Sequence, residues 1–268
     1  MKKINDLESL GKKYRYELLE KLVLMKQGHI GSIFSMMDMV VAMYHGGFVK
    51  FNTSNKSFDD KVLISKGHAA SALYPILRDF GLFPKKDWDN WGVGESKLRV
   101  FGNISIPGID VTSGSLGHGV GVASGIALSF LRKKNHNKVF TIISEGELYE
   151  GSSWEALLIA KHYNLNNLTI IIDINSLIIL GKTKECVNLD PIKSKIEGFG
   201  IKTFEVDGHN YNQLIEVFQK SRALNSLNCI LVKTIKGKGC SIMENKHQWH
   251  YLNYMSESDI EKAKKELS

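Results

Sequence analysis

Acidic residues crowd the stretch SEGELYEG, which runs from Ser144 to Gly151 and follows the apolar run KVFTII. A carboxylate at the end of a buried strand is unfavourable unless it meets a positive charge or hydrogen-bond donors. Gly146 would let the backbone approach a phosphate, and the N-terminus of the helix predicted to follow favours an anion. Taken alone, the stretch is best explained as a strand-to-helix turn whose acids cap the helix.

A second polar stretch, DINSLII, follows another apolar run and contains Asn175. In an open parallel sheet, ligands bind at the carboxyl ends of the strands, so we expect both stretches to converge there, together with SKGHAA. A carboxylate, an amide oxygen, a backbone carbonyl and a diphosphate would complete the octahedron that Mg²⁺ prefers. The two stretches together therefore favour a phosphorylated cofactor held with a divalent metal.

The elements that must position these stretches alternate between strands and helices. Apolar runs at 138–143 and 168–174 flank a helical pattern at 152–164, which is typical of a parallel sheet buried on both faces. The pattern predicts one α/β domain over residues 1–268, with a central parallel sheet flanked by helices on both faces. Residues 84–107 are predicted to form a long loop. The other predicted elements are strands at 60–65, 201–206 and 228–234 and helices at 7–26, 35–45 (with Ser35 as N-cap), 70–81, 112–131 (after a Gly-rich start), 211–224 and 256–268.

Composition narrows the class of protein. The 268 residues are 43% hydrophobic, enough for a sizeable core, and the formal net charge of +7 comes from scattered lysines. No basic block is interleaved with aromatic residues, so a nucleic-acid partner is not expected. The three cysteines show no CxxC spacing and indicate free thiols in a reducing compartment. The sequence has no signal-like segment and no apolar stretch of membrane-spanning length, so we expect a soluble, cytoplasmic protein without membrane contact.

The motifs, taken together, identify a family. The segment GELYEGSSWEALLIAKHYNLNNLTIIIDIN closely resembles the thiamine diphosphate motif of transketolases, which opens with Gly-Asp-Gly and closes about thirty residues later at an Asn. The segments GHIGS, LISKGHAASALYPIL, PGIDVTSGSLGHG, EVDGHN and KGKG with WHY stand in family order, so the resemblance covers nearly the whole chain. The chain resembles the amino-terminal, diphosphate-binding half of a transketolase that is split into two polypeptides.

The resemblance implies four catalytic residues. His29 in GHIG matches a histidine that lines the substrate channel, and His68 in SKGHAA matches one near the diphosphate and the reacting centre. His250 in WHY resembles a further active-site histidine. Glu150 matches the acid that helps to couple paired active sites.

The resemblance also implies the cofactor and metal ligands. Gly114, Ser115 and Leu116 match a loop whose backbone contacts the aminopyrimidine, and Gly146 matches the glycine that meets the diphosphate. Asn175 and the backbone of Leu177 match ligands of the metal and the diphosphate. The set implied to bind cofactor is His68, Gly114, Ser115, Leu116, Gly146, Glu147 and Asn175, and the set implied to bind metal is Glu145, Asn175 and Leu177.

The family chemistry implies a reaction and a partner. Thiamine diphosphate with Mg²⁺ (or Ca²⁺) would support transfer of a two-carbon ketol unit from a ketose or ketose phosphate to an aldose. In the family, the acid that activates the aminopyrimidine lies in the pyrimidine-binding half, which is expected on a partner chain. The chain is therefore expected to bind diphosphate and metal but to turn over only with a partner subunit that carries that half, as a heterotetramer.

Two positions depart from the family. The Gly-Asp-Gly motif reads Ser144-Glu145-Gly146, and the longer Glu145 would overshoot the metal unless the backbone or rotamer adjusts. Glu147 or a water could take that place instead, or metal binding could be weakened, although Ca²⁺ tolerates poor geometry better than Mg²⁺. In the region before Pro107 the family usually carries a His-Pro, whereas this chain reads RVFGNISIPGID, with Asn103 as the nearest polar residue. The loss of that histidine favours an unusual ketose or aldose.

Three functions therefore stay open. Retention of His29, His68, Asn175 and the Gly114–Leu116 loop favours an active ketol transferase. A related thiamine-dependent synthase in a specialised sugar pathway, which adds a two-carbon or acyl unit to another acceptor, is the second. A non-catalytic homologue with a degraded metal site is the third, favoured only by the altered motif.

Overall fold

The computed structural model describes residues 2–94, 96–252 and 254–268. The strands are β1 (Phe51–Asn52), β2 (Ser57–Phe58), β3 (Lys61–Ile64), β4 (Val139–Ser144), β5 (Leu168–Ile174), β6 (Leu177–Ile178), β7 (Gly181–Lys182), β8 (Lys202–Asp207) and β9 (Asn228–Lys233). The helices are α1 (Ile4–Met25), α2 (Ile30–His45), α3 (Tyr74–Asp79), α4 (Lys85–Asp89), α5 (Gly119–Arg132), α6 (Gly151–His162), α7 (Thr183–Cys186), α8 (Ile192–Gly198), α9 (Tyr211–Ala223) and α10 (Glu257–Leu267). Short 3₁₀ helices cover Gly67–Leu73, Glu145–Tyr149 and His247–His250.

The central sheet is parallel and has the strand order β3-β4-β5-β9-β8. Its inner strands β4, β5 and β9 are apolar runs that are buried over most of their length, as a sheet covered on both faces requires. Ser144 at the end of β4 is in register with Asp173 near the end of β5. The segments that follow these strands therefore begin side by side at one edge of the sheet.

Helices cover both faces of the sheet, which confirms the predicted fold class. On one face, α1, α2 and α9 enclose a core that includes the buried methionines of α2. On the other face, α5, α6 and α8 enclose a second core around β4 and β5. The strands thus form a rigid layer between two apolar cores, and their carboxyl edge is held in place from both sides.

The start of α2 differs from the prediction. The helix begins at Ile30 rather than after Ser35, and Ser35 is buried inside it. Its hydroxyl donates to Oδ2 of Asp173 at 2.7 Å and lies 3.0 Å from the carbonyl oxygen of Ser32. Gly31 lowers helix propensity by about 1 kcal/mol, but a Cβ there would lie 2.8 Å from the Trp249 carbonyl oxygen. Close tertiary packing therefore overrides the local signal.

The predicted loop at 84–107 contains the short helix α4 and packs two tryptophans. Trp88 and Trp91 are buried, with ring centroids 5.6 Å apart. The helix predicted at 112–131 begins only at Gly119, after Gly117 takes a φ of +83°, a conformation open to glycine. The hairpin β6–β7 and the helices α7 and α8 were not predicted.

Two expectations from composition can be compared with the structure. Cys186, Cys229 and Cys240 are all free thiols, and the last two are buried. Across the described ranges, no helix combines the length and the apolar character needed to cross a membrane.

Candidate active site

A cavity of about 260 Å³ opens at the carboxyl edge of the sheet. The ends of β4 and β5, the 3₁₀ turn after β3 and the hairpin β6–β7 contribute to its wall. The convergence that the parallel topology predicts is thus present. The predicted site residues that line this cavity are His68, Leu116, Glu145, Gly146, Glu150, Asn175, Leu177 and His250.

Glu145 lies at the cavity wall with only 7% of its surface exposed. Its Oε2 accepts a hydrogen bond from the backbone N–H of Ser176 at 2.9 Å, and its Oε1 accepts one from the Thr183 hydroxyl at 2.6 Å. Burial raises the pKa of the Glu145 carboxyl above its usual range. The two donors to Glu145 therefore flank the β6–β7 hairpin, and each carboxylate oxygen retains further capacity to accept.

The other predicted metal ligands line the same cavity. Glu145 bonds to Ser176, the residue between Asn175 and Leu177. Oδ1 of Asn175 accepts the Leu177 N–H at 3.2 Å, and the Leu177 carbonyl oxygen lies 3.5 Å from Nζ of Lys236. Carboxylate, amide and carbonyl oxygens are the hard ligands that Mg²⁺ and Ca²⁺ prefer, so this donor set fits such a cation.

The donor set contains a single carboxylate. Among the residues that the structure describes, no group of three or more His, Cys, Asp or Glu side chains could hold a metal ion. A cation at this point would need phosphate oxygens from a bound cofactor to complete its shell.

Two buried lysines line the cavity, and the sequence analysis did not single them out. Lys66 and Lys236 are 1% and 2% exposed. Nζ of Lys66 pairs with the buried Asp173 carboxylate, while Nζ of Lys236 lies 3.0 Å from Nδ1 of His250. Burial, followed by repulsion from Lys66, lowers the pKa of Lys236 to about 8. Their placement beside glycines in SKGHAA and KGKG, at strand ends, was the signal available in the sequence.

Asp173 is the acceptor that holds Lys66. It takes hydrogen bonds from the Ser35 hydroxyl at 2.7 Å and from the Thr234 hydroxyl. Although burial opposes ionisation, the ammonium of Lys66 lowers the pKa of Asp173 below its usual range. Lys66 and Asp173 are 107 positions apart in the sequence, and only the fold brings them together.

The three predicted catalytic histidines form one cluster. The ring centroids are 4.9 Å apart for His29 and His68, 5.3 Å for His29 and His250, and 5.7 Å for His68 and His250. Burial, and then the nearby lysines, lower the pKa of His29 to about 4, that of His250 to about 3, and that of His68 well below its usual range. All three rings are therefore neutral at pH 7 and can accept protons or hydrogen bonds.

His29 has an unmet hydrogen-bonding group. Its Nδ1 is buried and finds no partner within the described part of the chain. Phe101 and Tyr251 surround the ring edge-on, with centroids at 5.8 and 4.9 Å. A buried polar atom without a partner is unfavourable in a purely structural residue, so this nitrogen is a candidate ligand-binding group.

The remaining predicted residues divide between the surface and the interior. Gly114 and Ser115 are exposed on the loop before α5, while Leu116 reaches the cavity. Glu150 is exposed at the N-terminus of α6.

Glu147 was predicted to contact the cofactor or to replace Glu145 at the metal, and its position in the structure contradicts both roles. It is 0% exposed and absent from the cavity wall, because the 3₁₀ turn directs Glu145 and Glu147 to different surroundings.

A parallel sheet with a cavity at its carboxyl edge, lined by buried lysines and oxygen donors, is typical of α/β domains that bind a phosphorylated cofactor. Residues 15–268 match the family described as transketolase, thiamine diphosphate binding domain. The chain therefore belongs to the transketolase family, as its thiamine diphosphate-binding domain.

Similar proteins include subunits of split enzymes. The chain is 33% identical over 267 residues to a protein of Phocaeicola vulgatus that is named as a subunit of an apulose-4-phosphate transketolase, covering 99% of this chain and 95% of that protein. It is 34% identical over 256 residues to the "6-deoxy-6-sulfo-D-fructose transketolase subunit SqwG" of a Clostridium species, covering 94% and 93%. These relatives have nearly the same extent as this chain.

A solved transketolase has the same fold. The crystal structure of transketolase from Campylobacter jejuni superimposes with a TM-score of 0.89 at 25% identity, covering 99% of this chain and 43% of that one. This chain therefore spans less than half the length of that transketolase.

Proposed function

We propose that this chain is the diphosphate-binding subunit of a two-chain transketolase. The complex would transfer a two-carbon ketol unit from a ketose or ketose phosphate to an aldose in the cytoplasm, with thiamine diphosphate and Mg²⁺ or Ca²⁺. In this proposal residues 1–268 form a single domain, and a partner supplies the pyrimidine-binding half within a heterotetramer. The observation that carries the proposal is one cavity lined by two neutral histidines, two buried lysines and an oxygen donor set, with the ring of His29 packed against both histidines.

The basic end of the cavity suits the diphosphate. Lys236 offers positive charge in a site shielded from water, where electrostatic attraction is stronger than at a surface, whereas the charge of Lys66 is paired with Asp173. Glu145, Asn175 and the Leu177 carbonyl would hold the metal beside it. Gly146 would let the backbone come close to the phosphates.

We assign the histidines to binding of the sugar substrate and to proton transfer. When bound, thiamine diphosphate supplies the carbon nucleophile and the electron sink of the reaction. The neutral rings of His29, His68 and His250 would orient the hydroxyl groups of the substrate and take or return their protons. Glu150, which is exposed beside the cavity, would help to couple the two paired active sites of the assembly.

An exposed apolar surface on α5 and α6 supports the need for a partner. Val122 is 40% exposed, Leu158 57%, Ile159 53% and Tyr163 44%. Apolar groups clustered on neighbouring helices are typical of protein–protein interfaces. The relatives that are named as single subunits of a transketolase support the same arrangement.

The substrate is proposed to be a specialised sugar. Asn103, the nearest polar residue to the missing histidine, does not line the cavity, and its Oδ1 accepts the Ser105 N–H at 2.9 Å within a turn. The names of two relatives specify apulose-4-phosphate and 6-deoxy-6-sulfo-D-fructose. Both points support a donor or acceptor outside the common sugar phosphates.

Co-purification with a subunit that carries the pyrimidine-binding half tests the function. We expect a complex that retains thiamine diphosphate and metal and transfers two-carbon units within a panel of ketoses and aldoses, while the chain alone shows no turnover. Leu158→Glu on α6 should abolish the complex, whereas Leu24→Glu, at a 72% exposed position on α1, should not. A complex that binds neither cofactor nor metal in excess would instead indicate the non-catalytic homologue.

A further inference from the structure

Glu147 is a buried carboxylate that three segments of the chain share. Its Oε1 accepts a hydrogen bond from the Ser65 hydroxyl and one from the Gly117 N–H at 3.1 Å. Its Oε2 accepts the Ser144 N–H at 2.9 Å. The Ser65 hydroxyl oxygen also accepts the Gly119 N–H at 3.1 Å. One side chain thus joins the end of β3, the end of β4 and the loop that enters α5.

Each of these segments continues into the proposed cofactor site. Ser65 precedes Lys66 and His68, and Ser144 precedes Glu145 and Gly146. Gly117 follows the loop Gly114–Leu116. The residues on either side of Glu147 have other roles. Gly146 lines the cavity, and Leu148 belongs to the apolar core.

We infer that Glu147 is a positioning residue, which sets the cofactor site by holding its three segments together without touching the cofactor. This inference rests on the proposed function. It departs from the role that the family resemblance implied, because the carboxylate is fully enclosed and all its bonds are to the protein.

The geometry requires a carboxylate. The three donors approach two different oxygens, and an ionised carboxylate can accept at both. In Glu147→Gln one carboxylate oxygen is replaced by an NH₂ group. That NH₂ group would face either the Ser144 N–H or the Ser65 and Gly117 donors, so two hydrogen-bond donors would point at each other. At least one segment must then move away from the other two.

Asp60 offers a matched control at the opposite edge of the sheet. It is also 0% exposed, and it accepts backbone N–H groups from Lys50 at 3.0 Å and Lys138 at 2.8 Å, with Arg222 at 2.8 Å. It joins the amino ends of β3 and β4, far from the cavity. Asp60→Asn therefore damages a comparable buried acceptor without touching the cofactor site.

The test compares Glu147→Gln and Asp60→Asn in the full chain and in its complex with the partner subunit. Thiamine diphosphate affinity is measured by calorimetry with Mg²⁺, and exchange of the Gly117 and Gly119 amide hydrogens is measured by NMR or mass spectrometry. We expect both variants to lower the melting temperature. Only Glu147→Gln should weaken thiamine diphosphate binding, by about 10- to 100-fold, and speed exchange at Gly117.

Each outcome of this comparison either supports or rejects the positioning role of Glu147. Equal losses of affinity in the two variants, or unchanged affinity in Glu147→Gln, would overturn the inference. If Glu147→Gln does not fold, Ser65→Ala removes one donor to the same carboxylate and should weaken binding in the same direction. If the wild-type complex binds no thiamine diphosphate, the proposed function fails, and unchanged exchange at Gly117 in Glu147→Gln would then reject the positioning role by itself.

Discussion

Replacing Lys66 with Met is expected to lower the free energy of unfolding by about 3–5 kcal/mol. The change removes the ammonium that faces Asp173, a carboxylate that is 0% exposed at the end of β5. An unpaired buried charge is far more costly than the loss of the attraction itself, because the carboxylate cannot regain its hydration. The hydroxyls of Ser35 and Thr234 compensate only in part. Urea denaturation of the isolated chain measures the change.

A double variant and a surface pair provide the controls. Lys66→Met with Asp173→Asn removes the uncompensated charge and should recover most of the lost stability. Lys184→Met breaks an exposed pair with Asp190, 2.8 Å long with side chains 69% and 47% exposed, and should change stability by less than about 1 kcal/mol. A loss of stability below about 1 kcal/mol for Lys66→Met would contradict the claim that Lys66 compensates the buried charge of Asp173.

Replacing His29 with Phe is expected to separate activity from stability. The ring contacts with His68 and Tyr251 can persist, and the buried Nδ1 without a partner disappears, so unfolding should change by less than about 1 kcal/mol. Loss of the neutral imidazole, whose pKa burial lowers to about 4, should lower kcat/KM of the complex by about 10²- to 10⁴-fold. Steady-state kinetics and thermal melts of the same preparation measure both quantities.

His45→Phe is the opposite case and serves as control. His45 lies at the end of α2, away from the cavity, with its Nε2 2.8 Å from the Tyr14 hydroxyl. Its loss should lower stability and leave kcat/KM unchanged. If His29→Phe instead lost stability and kept activity, His29 would be a structural residue.

The elements that the sequence predicted well are those with a strong local pattern. The apolar runs at β4, β5 and β9 specify strands, and a parallel sheet by itself brings SEGELYEG and DINSLII to one edge. The hairpin β6–β7 was missed because its strands have two residues each, too few for a periodic signal.

The partners of buried polar groups were not predictable in the same way. The pairing of Lys66 with Asp173 depends on packing between segments that are distant in the sequence. The different surroundings of Glu145 and Glu147 depend on a tight 3₁₀ turn that composition does not reveal. The family resemblance gave both acids a place in the site, and only the fold distinguishes the one at the cavity wall from the one behind it.

The most direct test of the account is calorimetric titration of thiamine diphosphate into the two-chain complex, with Mg²⁺ and with a chelator. We expect measurable affinity only with the metal, and we expect Glu145→Gln to weaken the metal-supported binding because the one carboxylate of the donor set is lost. Equal affinity in the two conditions would contradict the metal-bridged site and the role of Glu145 in it.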